Sequence, residues 1–151
     1  MFFCNVMKIK DYREGIRLVV YKKKKNKILY LILKRKLRWN GYETLKGGKL
    51  KNETDAQAIR RELKEETSLK PKEIVNLNLK SKFLYPKKYQ KMFHKRGFIG
   101  NCYIVRAEGK IKLSKEHSSY RWLDYDKAKK LITFKENKLI LKIANEILKK
   151  A

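Results

Sequence analysis

The residue pattern predicts a layered fold of the α/β or α+β class. Three observations carry this. β-rich runs and helix-period runs are interspersed along the chain. Hydrophobic residues make up 42% and aromatics 11%. Proline occurs only twice. A chain of 151 residues with that content encloses a real core, burying about 68–70% of the surface its unfolded form exposes. Collagen-like, Pro/Gly low-complexity, disulfide-scaffold and acidic solvating chains are excluded. The length suits one domain, 1–151, with residues 1–10 a candidate flexible N-terminal extension and Met1 or Met7 as the start.

Each element follows from its local pattern. Residues 16–21 and 28–35 are β-rich and flank the basic run Lys22–Lys25, expected as a solvated hairpin turn. Residues 39–53, with Gly41, Gly47 and Gly48, are expected as a loop. Residues 54–67 are expected as a helix capped by Thr54 or Asp55, with Ala56, Ala58, Ile59 and Leu63 as its apolar side. Lys70-Pro71 interrupts the pattern. Strands are then expected over 73–84, 98–106 and 120–123, with Tyr120 and Trp122 in the core. A short helix, 126–132, precedes a longer one, 135–149. Its stripe of Leu139, Ile140, Ile143, Ala144, Ile147 and Leu148 is expected in the core.

Lys plus Arg number 41 against 15 Asp plus Glu, a formal charge of +26. No acid lies between Glu14 and Glu43, or between Glu73 and Glu108, whereas Glu53, Asp55, Glu62, Glu65 and Glu66 crowd together. A basic chain with one acidic knot suggests a polyanionic ligand joined to the knot by a cation. The aliphatic run 28–33 is far short of the ~20 residues of a membrane span, and the start lacks the basic region and apolar length of a signal peptide. Cys4 and Cys102 are expected as reduced thiols of a cytoplasmic protein, Cys102 as a small core residue. Two Cys and two His without close spacing make no zinc site.

The chemistry concentrates in residues 47–69. On a helix, Glu62, Glu65 and Glu66 stand at i, i+3 and i+4 and share one face, with Arg61 expected to point elsewhere. Clustered carboxylates suit Mg²⁺ or Mn²⁺, which take a few carboxylates plus substrate phosphates. A salt-bridged surface helix is the alternative, since Arg60, Arg61 and Lys64 lie among the acids.

The spacing decides between them. Gly47, five residues, Glu53, seven residues, then Arg61-Glu62-Leu63-Lys64-Glu65-Glu66-Thr67-Ser68-Leu69 resembles the Nudix box. Only Ser68 departs, standing where the family has Gly. At a left-handed helix exit, Ser costs about 1 kcal/mol or less. The resemblance implies an α/β fold, a mixed β-sheet sandwiched between helices (α/β/α) with a loop-helix-loop catalytic motif. It implies hydrolysis of a nucleoside diphosphate linked to another moiety. By position, Glu62, Glu65 and Glu66 would hold Mg²⁺ (or Mn²⁺) with a backbone carbonyl at Lys46-Gly47. Glu53 and Arg61 would brace the box, and Glu62, Glu66 or a loop Glu would act on the attacking water.

Two further stretches bear on substrate. Leu45-Lys46-Gly47-Gly48 resembles the Pro-Lys-Gly opening of dinucleoside polyphosphate hydrolases and RNA-decapping members, with Leu45 in place of Pro. The run 113–123, with Glu116-His117 inside it, resembles the tail of the asymmetrical bis(5′-nucleosyl)-tetraphosphatases. That resemblance makes Glu116 a further metal or water-orienting ligand and His117 a structural group or phosphate contact. Aromatic and Lys residues interleave in 83–91, so Tyr85 and Tyr89 are candidates for stacking a base, beside Lys87; a mobile solvated loop is the alternative. Lys46 is the leading phosphate contact.

The first expectation is a Mg²⁺-dependent hydrolase cutting diadenosine tetraphosphate to ATP and AMP. The others are an RNA 5′-end pyrophosphohydrolase or decapping enzyme, using the Lys-rich surface as an RNA track, and a nucleoside triphosphate pyrophosphohydrolase. A catalytically silent RNA-binding module is the non-enzymatic alternative, disfavoured by the complete set of box carboxylates. No membrane partner is expected, and the oligomeric state stays open.

Overall fold

A computed structural model describes residues 11–151. The expectations for the N-terminal extension, the start residue and Cys4 lie outside them. In chain order the elements are β1 (Tyr12–Lys24), β2 (Lys27–Arg35), β3 (Gly41–Glu43), β4 (Leu45–Gly48), α1 (Asp55–Thr67), β5 (Lys70–Leu84), α2 (Lys87–Phe93), β6 (Gly97–Glu108), β7 (His117–Leu123), α3 (Tyr125–Leu131) and α4 (Lys135–Lys150).

The seven strands form one mixed sheet with the path β3-β2-β1-β6-β5. β1 and β6 run parallel, Tyr12 beside Gly97 through Tyr21 beside Arg106; the other pairs are antiparallel. The β1–β2 turn is narrower than Lys22–Lys25. Lys24 pairs with Lys27, and Lys25 and Asn26 both take positive φ, the two-residue geometry that follows strand twist.

Alternation in β1 sends side chains to two cores. Ile16, Leu18 and Val20 meet Ala58, Ile59 and Leu63 of α1. Val19 and Tyr21 meet Ala128 of α3 and Ile140, Leu141 and Ala144 of α4. The sheet is thus sandwiched between α1 and the α3–α4 pair. Burying a Leu or Ile such as Leu63 or Ile59, both at 0% exposure, contributes about 1.5–3 kcal/mol. A smaller cluster of Tyr85, Tyr89 and Phe98, backed by Trp39, Phe83 and Phe93, ties α2 to one end of the sheet.

Several expectations need correction. Residues 39–53 are not all loop: β3 pairs with β2 and β4 with β1. Residues 85–91 are not an open loop either, because Tyr85 and Tyr89 bury their rings and fold the stretch into α2. Pro71 lies inside β5 rather than ahead of it; β5 is an edge strand, where a missing N–H is tolerated. Tyr120 is 42% exposed, and in α4 Leu139 (56%) and Ile147 (40%) face outward while Leu141 is buried. Cys102 is fully buried, and that burial pushes its thiol up to about 11. Among the described residues no helix is long and apolar enough to cross a membrane.

Candidate active site

Helix α1 begins with a capping box. Thr54 Oγ1 accepts from the Gln57 N–H (3.2 Å), and the Thr54 N–H donates to Gln57 Oε1 (2.9 Å). It ends at Ser68 in the left-handed region (φ 65), whose N–H bonds Lys64 O at 2.9 Å. These caps fix the rotation of the helix. Ala58, Ile59 and Leu63 enter the core, and the adjoining strip of Glu62 and Glu66 is buried at the rim.

Glu62 lies against the backbone of β4. A Cβ on Gly47 would stand 2.2 Å from its carboxyl carbon. Arg61 does not point away from the acids. Its Nε and Nη2 donate to Glu53 Oε2 (2.7 Å) and Oε1 (2.8 Å), and its Nη1 to Glu62 Oε1 (2.8 Å) and Glu65 Oε2 (3.2 Å). Nη2 also reaches Gly48 O at 2.6 Å. One guanidinium therefore ties helix, loop and strand together. Arg61, with the Leu50 N–H, holds Glu53 at about 2.

The other wall of the site is the segment leading into β7. Ser114 Oγ donates to Glu66 Oε2 (2.5 Å), and the Ser114 N–H to Glu66 O (3.2 Å). His117 is buried between two carboxylates, with Nε2 3.0 Å from Glu43 Oε2 and Nδ1 3.4 Å from Glu66 Oε2. Glu43 also takes Arg35 Nη1 at 3.1 Å, and the same Nη1 lies 3.7 Å from Glu116 Oε2. Glu66, Glu116 and His117 each offer a ligand atom, all within 4.8 Å of one another.

Burial and partners push the two buried helix carboxylates apart. Burial raises Glu62, against the pull of Arg61. Burial would raise Glu66 too, but His117 and Ser114 outweigh it and the net shift is down. In Glu43 the same contest ends at about 2, because His117, Lys46 and Arg35 oppose burial. His117 goes up: burial lowers it, and Glu43 and Glu66 more than reverse that.

The residues expected at the metal are thus divided. Glu66 and Glu116 converge with His117; Glu62 lies one turn earlier against Gly47; Glu65 is exposed and paired with Arg61. The donor set fits a divalent cation. It offers carboxylate oxygens, the chemistry of Mg²⁺ and Mn²⁺ sites, and a buried His117 Nδ1 without a hydrogen-bond partner faces them. Glu43 on Nε2 is the kind of outer carboxylate that orients a ligand imidazole.

Beside this cluster is a cavity of about 510 Å³, with Lys46, Tyr85 and Tyr89 in its wall. Lys46 Nζ stands over three ring faces, Trp39 (5.2 Å), Phe98 (5.5 Å) and Phe83 (5.7 Å). Burial lowers its ammonium to about 7, with Glu43 opposing and Arg17, Arg35 and Arg13 assisting. Tyr89 is anchored by its hydroxyl to Arg38 O at 2.6 Å. Lys87 is exposed at the start of α2 and lines a separate cleft with Lys91, His94 and Arg96.

Sequence reasoning missed Arg17, Arg35, Glu43, Ser114 and Asn137. Glu43 carried one signal: it ends an acid-free stretch of 28 residues. The others are ordinary residues of strands, a loop and a helix, and only the fold brings them together.

The family model for the NUDIX domain matches residues 11–142. No curated protein sequence matches the chain significantly. Solved structures share the fold. A Listeria monocytogenes chain assigned to the NUDIX hydrolases superposes with TM-score 0.74 at 23% identity, covering 90% of this chain and 94% of that one. The E. coli dihydroneopterin triphosphate pyrophosphohydrolase gives 0.70 at 21%, covering 87% and 94%. A C. elegans Ap4A hydrolase gives 0.70 at 22%, covering 92% and 99%. Identities this low speak for the fold alone.

Proposed function

The chain belongs to the NUDIX domain family, and from that premise we propose that it hydrolyses a phosphoanhydride bond of a nucleoside polyphosphate, first of all a dinucleoside tetraphosphate such as diadenosine tetraphosphate. One observation carries the reading. Glu66, Glu116 and His117 converge at the end of the box helix, beside a nucleoside-sized cavity whose wall includes Lys46. The C. elegans neighbour of the same fold is named for such a substrate.

In this reading Glu66 and Glu116 hold Mg²⁺ or Mn²⁺, with Glu62 and His117 adjoining. When bound, the cation polarises phosphoryl oxygens and lowers the pKa of water. The chain's own groups do the rest. Ser114 and His117 fix Glu66 in its ionised form. Glu62, the carboxylate raised by burial, takes the proton from the attacking water. Water oxygen bonds to one phosphorus, the bridging P–O bond breaks, and the departing nucleotide keeps the bridging oxygen. Lys46, in the cavity wall, meets phosphate charge, and Arg61 keeps the helix carboxylates and Gly48 in register.

An RNA 5′ end is the second reading. It is favoured by the cleft of about 430 Å³ along α2, lined by Lys87, Lys91, His94 and Arg96, with Asp11 as the only acid among the described residues of its lining. The test mixes protein and Mg²⁺ with equal diadenosine tetraphosphate and a short 5′-triphosphate RNA, and resolves products by ion exchange. ATP plus AMP supports the first reading. Pyrophosphate plus 5′-monophosphate RNA supports the second. No turnover of either, with Glu66→Gln indistinguishable from the parent, overturns both.

A further inference from the structure

His117 is held in one orientation by the strands around it. It opens β7, and its register partner is Arg35 at the end of β2. Arg35 Nη1 donates to Glu43 Oε2 at 3.1 Å and stands 3.7 Å from Glu116 Oε2. The same Glu43 oxygen lies 3.0 Å from His117 Nε2. An ionised carboxylate can only accept, so the ring nitrogen that faces it carries the hydrogen. A neutral ring with its hydrogen on Nε2 has its lone pair on Nδ1.

That lone pair is buried and aimed at the acids. The His117 side chain is 2% exposed, and Nδ1 has no hydrogen-bond partner among the described residues. It stands 3.4 Å from Glu66 Oε2. Two acceptors that close repel one another, and a dication shared by both removes the repulsion and gives Nδ1 a partner. Ligand atoms each about 2.0–2.2 Å from one ion stand about 3.0–3.5 Å apart in tetrahedral or octahedral arrangement, which matches this pair. Glu116 completes the group: it, Glu66 and His117 each offer a ligand atom, all within 4.8 Å of one another. When no ion is bound, a proton on Nδ1 serves instead, since Glu43 and Glu66 raise His117.

We infer that His117 is a metal ligand through Nδ1, beside Glu66 and Glu116, and that the group of three takes a first-row transition-metal dication in preference to Mg²⁺. The box resemblance supplies oxygen donors alone, from carboxylates and a backbone carbonyl. Mg²⁺ takes oxygen ligands and gives up its water reluctantly; an imidazole suits transition metals. Glu43 is then a positioning residue. It fixes the tautomer and the plane of the ring from behind, as outer carboxylates do for ligand histidines. This inference rests on the proposed hydrolase function only for the reaction the ion serves. It narrows the ion of that reading.

The test reads the bond itself. Mn²⁺ is added to the protein below one equivalent as a paramagnetic probe, and pulsed electron paramagnetic resonance records the nuclei bound to it. Coupling to a directly bound imidazole ¹⁴N is expected. It should become ¹⁵N coupling in protein grown on ¹⁵N-histidine, disappear in His117→Gln and persist in His94→Gln, the other histidine being exposed in the cleft along α2. The labelled parent decides the matter even if His117→Gln does not fold. Calorimetry follows Co²⁺ and Mg²⁺ in parallel. Glu43→Gln is expected to weaken Co²⁺ about tenfold to a hundredfold and Mg²⁺ by less. No nitrogen coupling in the parent, coupling that survives His117→Gln, or equal losses of Co²⁺ and Mg²⁺ in Glu43→Gln would overturn the assignment. Nitrogen coupling with no turnover of diadenosine tetraphosphate or 5′-triphosphate RNA leaves the ligand assignment standing and removes the hydrolase reading. Turnover without nitrogen coupling does the reverse.

Discussion

Gly47 and Glu62 compete for the same space: a methyl group at position 47 would overlap the Glu62 carboxylate, whose carbon lies 2.2 Å from the ideal Cβ. The box glycine is needed here because a helix side chain occupies the place of its own.

Gly47→Ala is therefore expected to displace Glu62 rather than unfold the chain. The overlap is with the end of a side chain, so the stability loss stays within the about 1–3 kcal/mol of overpacking. Turnover should fall about a hundredfold, the scale on which a small misplacement of a reacting group is felt. Urea midpoints and kcat on one preparation check this. A variant with parental kcat would remove Glu62 from the reaction.

Ser114→Ala deletes the hydroxyl that donates to Glu66 Oε2. A hydrogen bond to a charged group is worth about 1.5–3 kcal/mol, so kcat should drop about tenfold or more, with KM little changed. The hydroxyl also helps to lower Glu66, but the raised Glu62 sets the acid limb of the kcat–pH profile, so that limb should stay in place.

Ser68→Gly should stabilise the protein. Ser68 sits at φ 65, where a Cβ costs about 1–2 kcal/mol and the extra freedom of unfolded Gly takes back about 0.5–1 kcal/mol. A rise in the denaturant midpoint at constant m-value, without change in kcat, is the expected outcome.

The Glu43–His117 pair gives stability a pH window. Glu43 is depressed to about 2 from 4.5, so its contribution is present above 4.5 and is lost as pH falls toward 2. His117 is raised above 6.5, so its contribution is complete below 6.5 and is lost as pH rises through the raised value. The stability difference between the parent and Glu43→Gln should accordingly be greatest between pH 4.5 and 6.5 and shrink on both sides. Urea titrations from pH 3 to 9 measure it; a flat difference would show that the two groups are not coupled.

Much of this was legible in the residues. The α1 helix, its cap at Thr54 or Asp55 and the carboxylate spacing are local patterns, and local patterns are what a sequence displays; the left-handed exit at Ser68 was legible only through the family resemblance. β3 and β4 were not legible, because three- and four-residue strands containing Gly have no alternation of their own and exist only by pairing with β1 and β2. The shape of 85–93 was hidden for a similar reason. Interleaved Tyr and Lys read equally as an open loop, and only Trp39, far back along the chain, and Phe98 on the next strand give the rings a place to bury. Arg61 was misjudged because helix spacing describes Cβ directions, whereas a long guanidinium reaches across its neighbours to Glu62 and Glu65. Tyr120, taken for a core residue, shows that a short aromatic run does not reveal which strand face is covered.

The parallel pairing of β1 with β6 joins position 12 to position 97. During synthesis, at about 5–20 residues per second, the longest apolar strand in the first half of the chain waits several seconds for its neighbour. Until then β1 has only its hairpin partner and β4, and the surface on which the box helix must settle is half built. Such distant contacts slow folding and leave strand edges open meanwhile. The lysines of β1, β2 and their turn, Lys22, Lys23, Lys24, Lys25 and Lys27, then have a use before any substrate arrives. They place repelling charge at the tip of the unfinished hairpin and discourage nascent chains from pairing with one another.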